Sequence, residues 1–178
     1  RLRKDCYDKF FPWLNTFLKW MKDHGVDVDA VSIQNEPDWW VSYSGCLYTP
    51  QEQLDLVKGY AHMLDRETYK GVRLISAEPL GFSPEYSNVL LNNAVAREQI
   101  DIVAGHIYGH APLKAGNLKD AAVLAHQYGK AVWMTEHSST DNIGARLPNW
   151  HEQLLFAEEL NECMLAGCTG YVYWYMRA

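Results

Sequence analysis

Apolar positions recur along this chain in two alternating rhythms. The first stretch, Asp5 to His24, places Phe10, Trp13, Leu14, Phe17, Leu18 and Met21 at helical spacing, which predicts an amphipathic helix with one apolar face. Gly25 after His24 is a suitable cap for it. A short apolar run from Val28 to Gln34 then predicts a strand, and it is nearly continuous in Ala30, Val31 and Ile33, as a strand buried on both faces would be. Thr49-Pro50-Gln51-Glu52 carries the Thr, Pro and Glu of a capping box and predicts a helix to about Arg66.

The alternation continues to the last residues. Val72 to Ala77 predicts a second strand, and Ser83-Pro84 opens a helical stretch running in pieces to about Gln99. Ile102-Val103-Ala104 is a third strand, and Leu118 to Tyr128 a helix stopped by Gly129. Ala131 to Thr135 is a fourth strand, Trp150 to Ala166 the last long helix, and Gly170 to Tyr175 a fifth strand. Strands alternating with helices imply right-handed crossovers and a parallel sheet of the α/β class.

The polar residues cluster where strands end. Asn35 and Glu36 close the first strand, Glu78 the second, His106 and Tyr108 the third, Glu136 and His137 the fourth, and Trp174 the fifth. Barrels and doubly wound sheets both build their sites at that end. No Gly-rich phosphate loop follows any strand, so the barrel is favoured over a nucleotide-binding sheet. Pro37 ends ladder pairing after Glu36, leaving a carboxylate on the lip of the sheet with Trp39, Trp40, Tyr43 and Tyr48 close behind.

Composition narrows the chemistry. At 178 residues the chain has the length of one domain, residues 1–178. A net charge of −6 without a basic run argues against nucleic acid, and no apolar run is long enough to span a membrane. Seven Trp and eleven Tyr point mildly to carbohydrate, whose C–H faces lie against rings. Cys6, Cys46, Cys163 and Cys168 show neither a Cys-x-x-Cys pair nor zinc spacing. Arg1-Leu2-Arg3-Lys4 is followed by Asp5-Cys6-Tyr7-Asp8 rather than by the apolar segment of a signal peptide.

Glu36 and Glu136 lie three βα units apart, which puts them across the mouth of a closed barrel. Two carboxylates facing over a cleft lined with Trp and Tyr suit glycosidic cleavage: one donates a proton to the leaving oxygen, the other attacks the anomeric carbon. Mutual repulsion is what keeps one of such a pair protonated near neutral pH. A metal-dependent hydrolase using His106, His110, His137, Glu36 and Glu136 is a rival, weakened by the lack of a His-x-His pair. A non-catalytic carbohydrate-binding protein is another. Glu78 fits a structural carboxylate as well as a substrate contact, whereas His110 and His137 fit satisfied polar residues better than ligands.

Ser-Ile-Gln-Asn-Glu-Pro-Asp at 32–38, Trp-Met-Thr-Glu-His at 133–137 and Tyr-Val-Tyr-Trp-Tyr-Met-Arg at 171–177 resemble glycoside hydrolase family 30, nearest its glucuronoxylanase branch. The resemblance covers essentially the whole chain and implies strands 4–8 of a (β/α)8 barrel. A partial barrel of five strands cannot close, so the missing N-terminal half is expected in a longer, extracellular enzyme. It implies a retaining endo-β-1,4-xylanase with Glu36 as acid/base and Glu136 as nucleophile, acting on xylan with no cofactor and no metal. Asn35 would bond the sugar 2-hydroxyl, Tyr108 would orient Glu136, and His106 would share that polar shell. Trp174 would form the floor of the cleft, with Tyr175, Trp39 and Trp40 as further sugar contacts. A glucosylceramidase or β-1,6-glucanase of the same family shares the carboxylate pair. Two departures bear on specificity: Ala178 stands where glucuronate-recognising members have a second Arg, and Ser138 where they have a Tyr. Cleavage of plain or arabinose-decorated xylan without a glucuronate requirement is the expectation.

Overall fold

The computed structural model describes residues 1–108, 116–138 and 150–174, the side chains of residues 151 and 152 excepted. A 3-10 turn over Lys4–Cys6 leads into Tyr7–Asp23 (α1), and Ala30–Ser32 (β1) follows. Pro50–Tyr60 (α2) continues through a 3-10 turn, Ala61–Met63, towards Arg73–Ile75 (β2). Pro84–Leu91 (α3) and Ala94–Gln99 (α4) precede Ile102–His106 (β3). Asn117–Gln127 (α5) leads to Ala131–Glu136 (β4), and Trp150–Leu165 (α6) to Gly170–Tyr171 (β5). The five strands lie side by side in chain order, each parallel to the next. This is the expected α/β sheet, and it resembles part of a barrel. The ladders are shorter than the apolar runs that announced them: the run at 28–34 pairs as a strand only over Ala30–Ser32, and that at 170–175 only over Gly170–Tyr171.

The capping box forms as its residues dictate. Glu52 N donates to Thr49 Oγ1 at 3.2 Å and Thr49 N to Glu52 Oε2 at 2.8 Å, with Pro50 beginning α2. The helices cover one side of the sheet. Val31, Ile33 and Leu74 meet Phe11, Leu14, Leu18, Leu56 and Val57 there, while Val103, Val132 and Met134 meet Leu118, Ala121, Ala125 and Cys163. Ile75, Ile102 and Ala104 line the other side with Ala30, Ala131 and Trp133 packed against them, and the Arg73 guanidinium lies 4.8 Å from the Trp133 ring centroid.

One expectation for α1 is corrected. Its buried stripe is Tyr7, Phe11, Leu14 and Leu18, whereas Trp13 is 65% and Phe17 43% exposed. Within residues 1–178 the apolar arc of this helix is wider than the surface its neighbours offer, so one side packs in the core with β1 and α2 while Trp13, Phe17 and Trp20 are left uncovered by this part of the chain. Cys163 and Cys168 are buried thiols. Among the described residues no helix is long and apolar enough to cross a membrane.

Gly105 shows how tightly the third strand is fitted. A Cβ there would lie 2.8 Å from Phe82 Cγ, and Phe82 cannot retreat, being 1% exposed and held at φ 50°. Gly105→Ala is therefore expected to cost about 1–3 kcal/mol of stability by overpacking. A urea-denaturation midpoint unchanged from wild type would contradict it.

Candidate active site

The end of β1 is shaped by backbone pairing. Asn35 bridges Glu78, Glu78 N donates to Gln34 O at 3.0 Å, and Glu36 N donates to Glu78 O at 2.9 Å. Glu36 then takes a left-handed conformation, φ 43°, and its carbonyl accepts from Trp39 N at 3.1 Å. A non-glycine residue in that region carries strain that the surroundings must sustain, and such residues gather at functional sites. Asp38 supplies support: its carboxylate accepts from Leu80 N at 3.0 Å and from Ser83 Oγ at 3.1 Å, tying the loop after β1 to the loop after β2.

Glu136 reaches the site through an irregularity. Gly105 pairs with Met134, but His106 pairs with Glu136, so Thr135 is left without a partner of its own. Strict alternation would send Glu136 to the helix side with Val132 and Met134. The extra residue reverses this and aligns Glu136 with His106, in the manner of bulges that re-aim side chains at active sites.

The result is a compact polar centre. One donor atom from each of Glu36, His106 and Glu136 lies within 4.8 Å of the others. His106 is wholly buried, with Nδ1 2.9 Å from Glu36 Oε1 and Nε2 3.8 Å from Glu78 Oε2. His106 thus lies in the polar shell of the two carboxylates, with no exposed surface to offer a sugar directly. Burial disfavours its charged form, but the hydrogen bond to Glu36 and the nearness of Glu78 and Glu136 outweigh that and push the imidazole up to about 9. Burial likewise acts to raise Glu78, yet the adjoining His106, Ser32 and Thr135 prevail and hold it below its usual range. The three donors are close enough to share a cation, but binding one at Nδ1 would break the His106–Glu36 hydrogen bond.

A second network stands behind Glu136. The Tyr108 hydroxyl donates to Glu136 Oε1 at 2.8 Å, and its phenol is pushed up by burial and by that bond. Its ring meets His137 edge-on at 5.3 Å. His137 Nδ1 is 2.8 Å from Glu159 Oε1, and the Tyr171 hydroxyl donates to the same oxygen. Glu159 was not among the residues singled out in the sequence. It lies on α6 beside Glu158 and reads there as part of a solvated face, yet it is 3% exposed.

The remaining described candidates lie at strand ends or on the loop after β1. Asn35 is exposed at the strand end, and Trp39 and Trp40 are 53% and 73% exposed on the loop after Glu36. Trp174 is half-exposed, its backbone N–H donating to His137 O at 2.9 Å. Ser138 is partly buried. His110, Tyr175 and Ala178 lie outside the described residues.

Comparison with known proteins bears on the family and the fold. A family model described as "Glycosyl hydrolase catalytic core" matches residues 5–165. The chain is 32% identical to the glucuronoxylanase XynC of Bacillus subtilis over 180 residues, covering 99% of this chain and 40% of that protein. Among solved structures it is similar to the family 30 subfamily 8 xylanase Xyn30A of Clostridium acetobutylicum, with a TM-score of 0.81, 32% identity and coverage of 99% and 41% of the two chains. A family 30 endoxylanase of Clostridium papyrosolvens C71 gives a TM-score of 0.81 at 30% identity, covering 99% of this chain and 42% of that one. The chain thus spans about 40% of the length of the relatives it matches.

Proposed function

Since this chain belongs to the glycosyl hydrolase catalytic-core family, we propose that it is part of a retaining endo-β-1,4-xylanase, a single partial catalytic domain over residues 1–178. The observation that carries this reading is the approach of a Glu36 oxygen and a Glu136 oxygen to within 4.8 Å. Retaining glycosidases hold their carboxyl groups about 5–5.5 Å apart, and inverting ones about 6.5–9.5 Å. Nearness to two family 30 xylanases supports xylan as substrate. Action outside the cell is part of the same proposal, as a polymer requires.

In this reading Glu36 gives its proton to the glycosidic oxygen while Glu136 attacks the anomeric carbon, breaking the C–O bond and forming a glycosyl-enzyme ester. The leaving chain departs as a neutral alcohol. Glu36, now ionised, takes a proton from water, whose oxygen displaces Glu136 and restores the original configuration. Tyr108 occupies Oε1 of Glu136, which leaves Oε2 for attack. Asn35, Trp39, Trp40 and Trp174 would hold the sugar from the exposed side.

With Ser138 and Ala178 at the two glucuronate-recognising positions, linear xylo-oligosaccharides are expected to be cleaved at least as readily as glucuronate-substituted ones. Product analysis on the two substrate types decides it; cleavage confined to substituted chains would overturn the specificity reading.

A further inference from the structure

Beneath the carboxylate pair lies a third acid whose place is unassigned. We propose that Glu78 is a positioning residue for Glu36, acting through the buried imidazole of His106. The inference deepens the glycosidase reading and rests on it for its consequence, though not for its geometry.

Glu78 meets Glu36 twice. Their backbones are joined by the Asn35–Glu78 bridge and the 2.9 Å bond from Glu36 N to Glu78 O. Their side chains are joined through His106, whose two ring nitrogens point one at each carboxylate. The Glu78 side chain is 13% exposed and His106 has no exposure, so little water intervenes. Two buried polar atoms able to donate, His106 Nε2 and Ser32 Oγ, find no hydrogen-bond partner among the described residues. Glu78 is the carboxylate beside both, 3.8 Å from the first. A carboxylate facing two unsatisfied donors is placed to receive them, and a small movement of its side chain would close the gap.

The chemistry gives this arrangement a purpose. Glu36 serves first as acid and then as base, so one oxygen must stay fixed while the other handles the proton. An imidazole held by Glu78 carries hydrogen on both nitrogens and always presents N–H to Glu36 Oε1. Without Glu78 the ring can drop one proton, and a tautomer with its Nδ1 lone pair towards Glu36 would push Oε1 away. The other groups facing His106 are Glu136, whose charge also favours the imidazolium, and Tyr108, whose ring lies edge-on at 6.0 Å.

The test is Glu78→Gln, which keeps size and removes charge, in the native full-length protein. Histidine ring NMR should show His106 titrating at least about one pH unit lower than in wild type, as removal of an opposite charge at this range requires. An unchanged titration would overturn the proposal. Kinetically, kcat/KM on xylo-oligosaccharides should fall about 10- to 100-fold, but on a dinitrophenyl xyloside, whose leaving group needs no proton, less than about 3-fold. Equal losses on both substrates, or no loss on the oligosaccharide, would overturn it. Glu78→Asp, which keeps the charge, should retain the high His106 titration; if it behaves like E78Q, the role is one of packing and the proposal fails. Should wild type cleave neither substrate, the glycosidase reading falls and the titration alone decides this inference.

Discussion

Glu136→Ala is expected to lower kcat/KM on xylo-oligosaccharides by at least about 10⁴-fold, the scale on which loss of a covalent nucleophile acts. That is about 5.5 kcal/mol of transition-state stabilisation. The loss should not be repaired by a better leaving group, because the missing step is attack on carbon rather than proton transfer. Azide should repair it in a diagnostic way. Entering the space left by the carboxylate, azide would displace an activated leaving group directly, with one inversion, and yield the α-glycosyl azide. A β-azide from this variant would assign the nucleophile elsewhere. The Tyr108 hydroxyl donates to Glu136 Oε1 at 2.8 Å, so the alanine variant also frees that donor. The β3–β4 ladder ends at this residue and leaves the core behind it untouched, so the variant should fold as wild type does.

The fold was legible because its signals are local. The Thr49 capping box, the strand runs and the stops at Gly25 and Gly129 each depend on a few neighbours in sequence, and the parallel order follows from their alternation. Burial on α1 was less legible. An apolar arc says that some side is covered but not by which part of the chain, and residues 1–178 leave Trp13 and Phe17 uncovered.

The site divides in the same way. That Glu36 and Glu136 stand at strand ends could be read from the chain. That they face one another followed from their separation by three βα units, but the local backbone that brings them together did not, because it depends on a left-handed Glu36 and an unpaired Thr135. Both are responses to neighbouring strands. Alternation carried through to residue 136 would have pointed its carboxylate at the helices. The buried pairs His106–Glu36 and His137–Glu159 were hidden for a related reason: each joins elements far apart in sequence, and a Glu on a helix looks solvated until a histidine from another element is laid against it.

Glu36→Ala should divide the two chemical steps rather than abolish both. On xylo-oligosaccharides, whose leaving group is an alkoxide without its proton, kcat/KM is expected to fall about 10²- to 10⁴-fold. On a dinitrophenyl xyloside the first step needs no acid, so kcat/KM should be nearly retained. The second step still lacks its base, so kcat should drop, KM should drop with it, and a burst of phenolate should precede slow turnover as the glycosyl-enzyme accumulates. Azide then attacks that intermediate, a second inversion, and the product should be the β-glycosyl azide, opposite in configuration to that from Glu136→Ala. The opposed products test the pair together, since each carboxylate is assigned by the face from which azide arrives. Identical azides from both variants, or equal losses on both substrates, would mean that two neighbouring carboxylates within 4.8 Å do not divide the work as retention of configuration requires.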